Sequence, residues 1–115
     1  MFGFKKKIDK IKPVALIKED LVKAWELWSS EAGWLWNALD RFPQHHRRIQ
    51  IVDDIISEKQ ENASQEFLSS MQELREWLVQ LAEQEEQNIV EIFQKVKDSR
   101  SKVEALRKQL DERNA

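Results

Sequence analysis

The sequence has no cysteine and no tyrosine, and it has only two glycines and two prolines in 115 residues. Without cysteine the chain forms no disulfide and offers no thiolate as nucleophile or metal ligand, a composition that suits the cytosol. Gly3, Pro13, Gly33 and Pro43 all lie in the first half, and from Gln44 to Ala115 neither residue type occurs. A β-sheet or α/β fold of this size needs more turn residues than that. Long apolar runs are missing too. The most apolar stretch, residues 32–39, falls far short of the roughly 20 residues that a membrane-spanning helix needs. The start, Met-Phe-Gly-Phe-Lys-Lys-Lys, is basic, but Asp9, Lys10, Lys12, Pro13 and Lys18 interrupt every apolar stretch near it. No signal peptide is therefore expected.

What is present is a helix-forming chain. Glu, Gln, Lys, Leu and Ala are plentiful, whereas Val and Thr are sparse. Hydrophobic residues make up 41% and charged residues 35%, with a net charge of -2, so the chain carries enough apolar groups to fold and no global pull towards nucleic acid or acidic membrane. The expected fold class is all-α, in one helical domain over residues 13–115 preceded by a distinct segment, residues 1–12.

The inventory for catalysis is thin. The only histidines, His45 and His46, are neighbours. On a helix, neighbours point about 100° apart and do not converge on one metal. The positions one helical turn beyond them are Arg48, Ile49 and Gln50, so the Glu-x-x-His arrangement of di-iron bundles is absent. No glycine-rich phosphate loop and no nucleophile motif is found. The pairs Glu58/Glu61, Glu73/Glu76 and Glu83/Glu86 read as solvated helix surface. The cluster His45-His46-Arg47-Arg48 reads as a solvated first helical turn, because Asp53 and Asp54 follow it and a nucleic-acid face would hold more cations. The sequence thus predicts a non-enzyme, with no metal, no cofactor and no nucleic-acid partner.

Residues 1–12 carry Lys5, Lys6, Lys7, Lys10 and Lys12 against one acid, Asp9. Phe4, Ile8 and Ile11 recur at helical spacing, with Phe2 just before them. An apolar stripe under a lysine-rich face matches an interfacial helix on anionic lipid. These nine residues, Phe2, Phe4, Lys5, Lys6, Lys7, Ile8, Lys10, Ile11 and Lys12, are the candidate membrane-docking set, and they point to the inner face of a membrane.

Beyond Pro13 the pattern predicts a Trp-rich helix over about residues 14–41, stopped by Arg41-Phe42-Pro43. Leu21, Trp25, Trp28, Ala32, Leu35 and Leu39 share one face, while Leu27, Trp34, Ala38 and Phe42 spread apolarity onto a second. From residue 44 to about 113 the pattern becomes coiled-coil-like. Ile49, Val52, Ile56, Ala63, Phe67, Leu74, Leu78 and Leu81 lead to Ile92, Val96, Val103, Leu106 and Leu110 in a near-heptad seam. Glu85 and Asn88 fall on it as polar members that fix register, and Ile89 suggests a slip of phase. With neither glycine nor proline to break it, one long helix is the expectation. The main candidate break lies near residues 57–65, where Glu-Asn-Ala-Ser weakens helix propensity, and the acid-rich stretch from Glu83 to Asn88 is a second candidate.

Four of the five tryptophans, at 25, 28, 34 and 36, lie on the first helix. One helix with two apolar faces has more to bury than it can cover alone, so a subunit interface is expected in addition to a core. Trp25, Trp28, Leu35, Trp36, Leu74, Leu78, Leu81 and Ile92 are the candidate helix-interface residues. The architecture expected is a helical bundle or elongated oligomer, acting as a scaffold or adaptor. The partner is a copy of itself or another helix, with an anionic membrane surface as a second target. A monomeric three-helix bundle that binds and inhibits or chaperones another protein is the alternative.

Overall fold

Two helices form because the chain offers helix formers with few interruptions, and they end where backbone groups find local caps. The computed structural model describes residues 12–114, so Phe2, Phe4, Lys5, Lys6, Lys7, Ile8, Lys10 and Ile11 lie outside the described residues. Helix α1 spans Val14–Lys59 and helix α2 spans Gln65–Asn114. The Pro13 carbonyl accepts from the Leu16 and Ile17 amides at 3.0 and 3.1 Å and opens α1. At the other end the Lys59 carbonyl accepts from Asn62 and Ala63, at 3.1 and 2.9 Å. Ser64 then caps α2, its Oγ accepting from the Phe67 amide at 3.2 Å. Lys59 in the last turn of α1 and Glu66 in the first turn of α2 each complement the helix dipole there.

Two expectations about helix ends are corrected. The first helix does not stop at Arg41-Phe42-Pro43: Pro43 lies inside α1. It is exposed, so the missing amide and the freed Leu39 carbonyl fall on the solvent side, while Phe42, His45 and Ile49 beside it face inward. Nor is there one helix from 44 to 113. The chain turns back at residues 60–64, inside the stretch marked as the candidate break, with no positive-φ residue among the described residues. The described residues therefore hold two helices rather than three.

The described chain divides into two compact units, one of residues 12–32 and 94–114, the other Gly33–Phe93. In the first unit the buried cluster is Ile17, Ala24, Val103 and Leu106, with Leu21, Trp28 and Leu110 packed against it. Its helices run antiparallel: Arg113 donates to the Lys12 carbonyl at 2.9 Å near one end, and Ser99 hydrogen-bonds Glu31 near the other. The second unit is an antiparallel hairpin closed by the 60–64 turn. Ala38, Val52, Leu78 and Ala82 are its buried apolar residues, and Asp53–Arg75 and Arg41–Glu85 contacts cross between its helices.

Inward positions alternate by three and four throughout: on α1 through Leu35, Ala38, Phe42, His45, Ile49, Val52 and Ile56, and on α2 through Leu78, Ala82, Glu85, Ile89 and Ile92. That is a strict heptad, in which Ile89 sits in phase and no slip occurs. The expected face of the first helix is rotated. Trp25 and Leu39 are exposed, while Ala24, Glu31 and Ala38 take the interior. Small residues inside let the helices approach closely, so the bulkier neighbouring stripe, although more hydrophobic, is left outside.

Candidate interaction surfaces

Polar residues interrupt the apolar interior at fixed places. Glu31 is 4% exposed and its carboxylate accepts from the Ser99 hydroxyl. In the other unit Glu85, 8% exposed, accepts from Arg41 Nε at 2.5 Å through Oε1 and from Asn88 Nδ2 at 3.1 Å through Oε2. Arg41 lowers the pKa of Glu85 below the usual carboxylate range mainly through this hydrogen bond, against the opposing effect of burial. Asn88 and the charges of Arg41 and His45 act in the same direction as the bond. The same contact raises the pKa of Arg41. His45 Nε2 stands 4.0 Å from Glu85 Oε1, beyond hydrogen-bond reach, and its buried Nδ1 has no partner. With both carboxylate oxygens held, this cluster fixes a buried charge in place between α1 and α2. Nearer the turn, Arg75 Nε meets Asp53 Oδ1 at 2.5 Å, which raises the pKa of Arg75.

His45 is a residue that sequence reasoning missed. It lies mid-helix and faces inward, half-buried, rather than in a solvated first turn. Its spacing from Phe42 and Ile49, three and four residues, was the available signal. His46 is exposed and stacks edge-on to Phe42, with ring centroids 4.8 Å apart. Among the described residues no group of three or more histidines and carboxylates could hold a metal ion, and no helix is long and apolar enough to cross a membrane.

The tryptophans are mostly outside. Trp25, Trp34, Trp36 and Trp77 are 48, 53, 68 and 63% exposed, and Trp28 alone is packed inward, its buried Nε1 without a partner. Of the other candidate interface residues, Leu78 is buried, Leu35, Leu74 and Ile92 are half-buried, and Leu81 is partly exposed. Leu78 therefore belongs to the intrachain interior, while Leu74 and Leu81 sit beside it. Glu85 and Asn88 adjoin one another, as described above. Lys12, the one described member of the candidate docking set, is ion-paired with Asp20. The hydrogen bond from Lys12 lowers the Asp20 pKa, with Lys12, Lys23 and Lys102 adding charge in the same direction and burial opposing.

In the Gly33–Phe93 unit, exposed apolar residues flank the interior on both sides. One side carries Trp36, Leu39 and Val90; the other carries Ile51, Phe67, Trp77 and Leu81. Comparison with family models, with curated proteins and with solved structures found no match.

Proposed function

We propose that this chain is a non-catalytic helical scaffold or adaptor that self-associates and docks on anionic membrane through residues 1–12. The observation that carries the reading is the exposure of four tryptophans, between 48 and 68%, in a chain whose interior is already closed. Large aromatic groups left in water on helix surfaces suit partner contact, since Trp supplies much apolar area with few rotamers to fix. The interior heptad holds each chain in shape, and the outer stripes hold chains or partners together. This divides the work differently from a seam that pairs only between chains: Leu78 serves the interior, whereas Trp36, Leu74 and Leu81 remain available to a partner.

Light scattering combined with small-angle scattering tests the first half of the reading. A scaffold gives a dimer or larger species whose mass rises with concentration. A monomer at every concentration removes self-association. It leaves the second reading, a monomeric helical protein that binds and inhibits or chaperones another, which the closure of the heptad within the chain favours.

A further inference from the structure

The Asp53–Arg75 contact fixes the level at which α1 and α2 meet in the Gly33–Phe93 unit. Two residues back along α1 and two forward along α2 lead to Ile51 and Trp77, at nearly one level because the helices are antiparallel. Both belong to the same side of the hairpin. A groove lined by Arg41, Leu81 and Asn88 marks that side, and Arg48 and Ile55 follow Arg41 at heptad intervals, as Leu74 precedes Leu81. A second groove joins Leu74 to Trp77. Ile51, Ile55, Phe67, Leu74, Trp77 and Leu81 thus form one apolar face made by two helices.

From Arg47 towards the turn, charge along this face is graded; farther out, Glu91 shares the groove with Arg41. Arg47 and Arg48 are exposed at the end away from the turn, and neither makes an ion pair among the described residues. Towards the turn the edges carry Asp54, Glu58, Glu66 and Glu73, all exposed. A face that is basic at one end and acidic at the other complements itself when turned by half a revolution. The two-fold axis then falls near Leu74 and Trp77. Each copy's arginines reach the other's acids, and the apolar centre is closed.

We infer that a second copy of this chain covers this face, packed antiparallel and isologously, with Trp77 and Leu74 at its centre and Arg47 and Arg48 opposite Asp54 and Glu58 of the other copy's α1. The inference rests on the reading that the chain self-associates and names the surface that does it.

Full-length chains test it by mass in solution. Trp77→Glu weakens the dimer by about tenfold or more, as loss of a central aromatic anchor does. Helix content is unchanged, because Trp77 is 63% exposed. Arg47→Glu with Arg48→Glu gives a chain that no longer pairs with itself, and Asp54→Lys with Glu58→Lys gives another. Mixed in equal amounts, these two form a heterodimer, since each places new acids against new lysines and native arginines against native acids. A wild type that is monomeric at every concentration overturns the self-association reading and this inference with it. A dimer that survives Trp77→Glu and both charge variants leaves self-association standing on another surface and overturns only the inference. The same holds if the mixed charge variants stay monomeric, or if Trp77→Glu abolishes binding to anionic vesicles without changing mass.

Discussion

Arg41 and Glu85 stand 44 positions apart in the chain and meet at 2.5 Å, with Glu85 buried and Arg41 half in water. The asymmetry decides what each substitution does. Arg41→Ala leaves a buried carboxylate with Asn88 as its remaining hydrogen-bond donor, so the melting temperature falls. Glu85→Leu leaves Arg41 free to solvate and fills an interior position with an apolar group, so stability is unchanged or rises. Thermal melts of the two variants check this, and a Glu85→Leu chain less stable than Arg41→Ala would contradict it.

The same contact predicts a pH dependence. The folded-state pKa of Glu85 is depressed by the Arg41 hydrogen bond, and that of Asp20 by Lys12. A depressed acid contributes stability that is fully present above its unfolded pKa and is lost as pH falls through the folded one. Melting temperature therefore holds steady through neutrality and falls once pH drops below the ordinary carboxylate range. Carboxyl NMR should place the Glu85 titration higher in Arg41→Gln than in wild type. An unmoved titration would mean that the contact does not persist in solution.

Glu31 and Ser99 form the other interior polar pair, with Glu31 4% exposed. Removing the hydroxyl in Ser99→Ala strands the carboxylate, at a cost of about 1–3 kcal/mol. Glu31→Leu combined with Ser99→Ala removes both partners and recovers that loss. Urea unfolding of the singles and the double forms a cycle whose coupling is favourable. Additive singles would show that the pair is not formed.

Much of the fold is legible in the sequence and some of it is not, for definite reasons. Scarce glycine and proline exclude sheet, and the spacing from Leu78 through Leu110 gives a coiled-coil pattern on α2. The face of α1 is harder to read, because the true interior carries Ala24, Glu31, Ala38 and His45 while Trp25, Trp36 and Leu39 lie outside. A hydrophobicity pattern follows the larger groups, whereas close helix approach selects the smaller. Likewise Phe67, Leu74 and Leu81, seven apart, mimic a seam that the chain places beside its interior. The turn at 60–64 lacks glycine and proline, so only its weak helix formers and Ser64 marked it.

Pro43 carries a prediction of its own. It interrupts the hydrogen-bond ladder of α1 on an exposed side and packs nothing inside. Pro43→Ala restores an amide for the Leu39 carbonyl. The helical gain approaches about 3 kcal/mol, less the entropy that a freer unfolded chain regains, so a net rise of about 2 kcal/mol is expected. Denaturant titration measures it. A less stable variant would show that the proline ring makes a contact that matters.

The lysine-rich segment ahead of α1 makes the last prediction. Phe4, Ile8 and Ile11 supply few apolar groups, so one segment binds lipid weakly, and lysines near an anionic surface add about 1 kcal/mol each. Paired chains change this, because two segments on one assembly act at high effective concentration. Asp20 already holds the Lys12 ammonium. Liposome co-sedimentation should therefore show binding that needs anionic lipid, weakens with salt, and falls with Phe4→Ser or Lys6→Ala but hardly with Lys12→Ala. A chain held monomeric by Trp77→Glu should bind less than wild type at equal concentration, although its segment is intact. Equal binding by the two would show that docking needs no assembly. No binding at low salt would remove the membrane from the proposed function altogether.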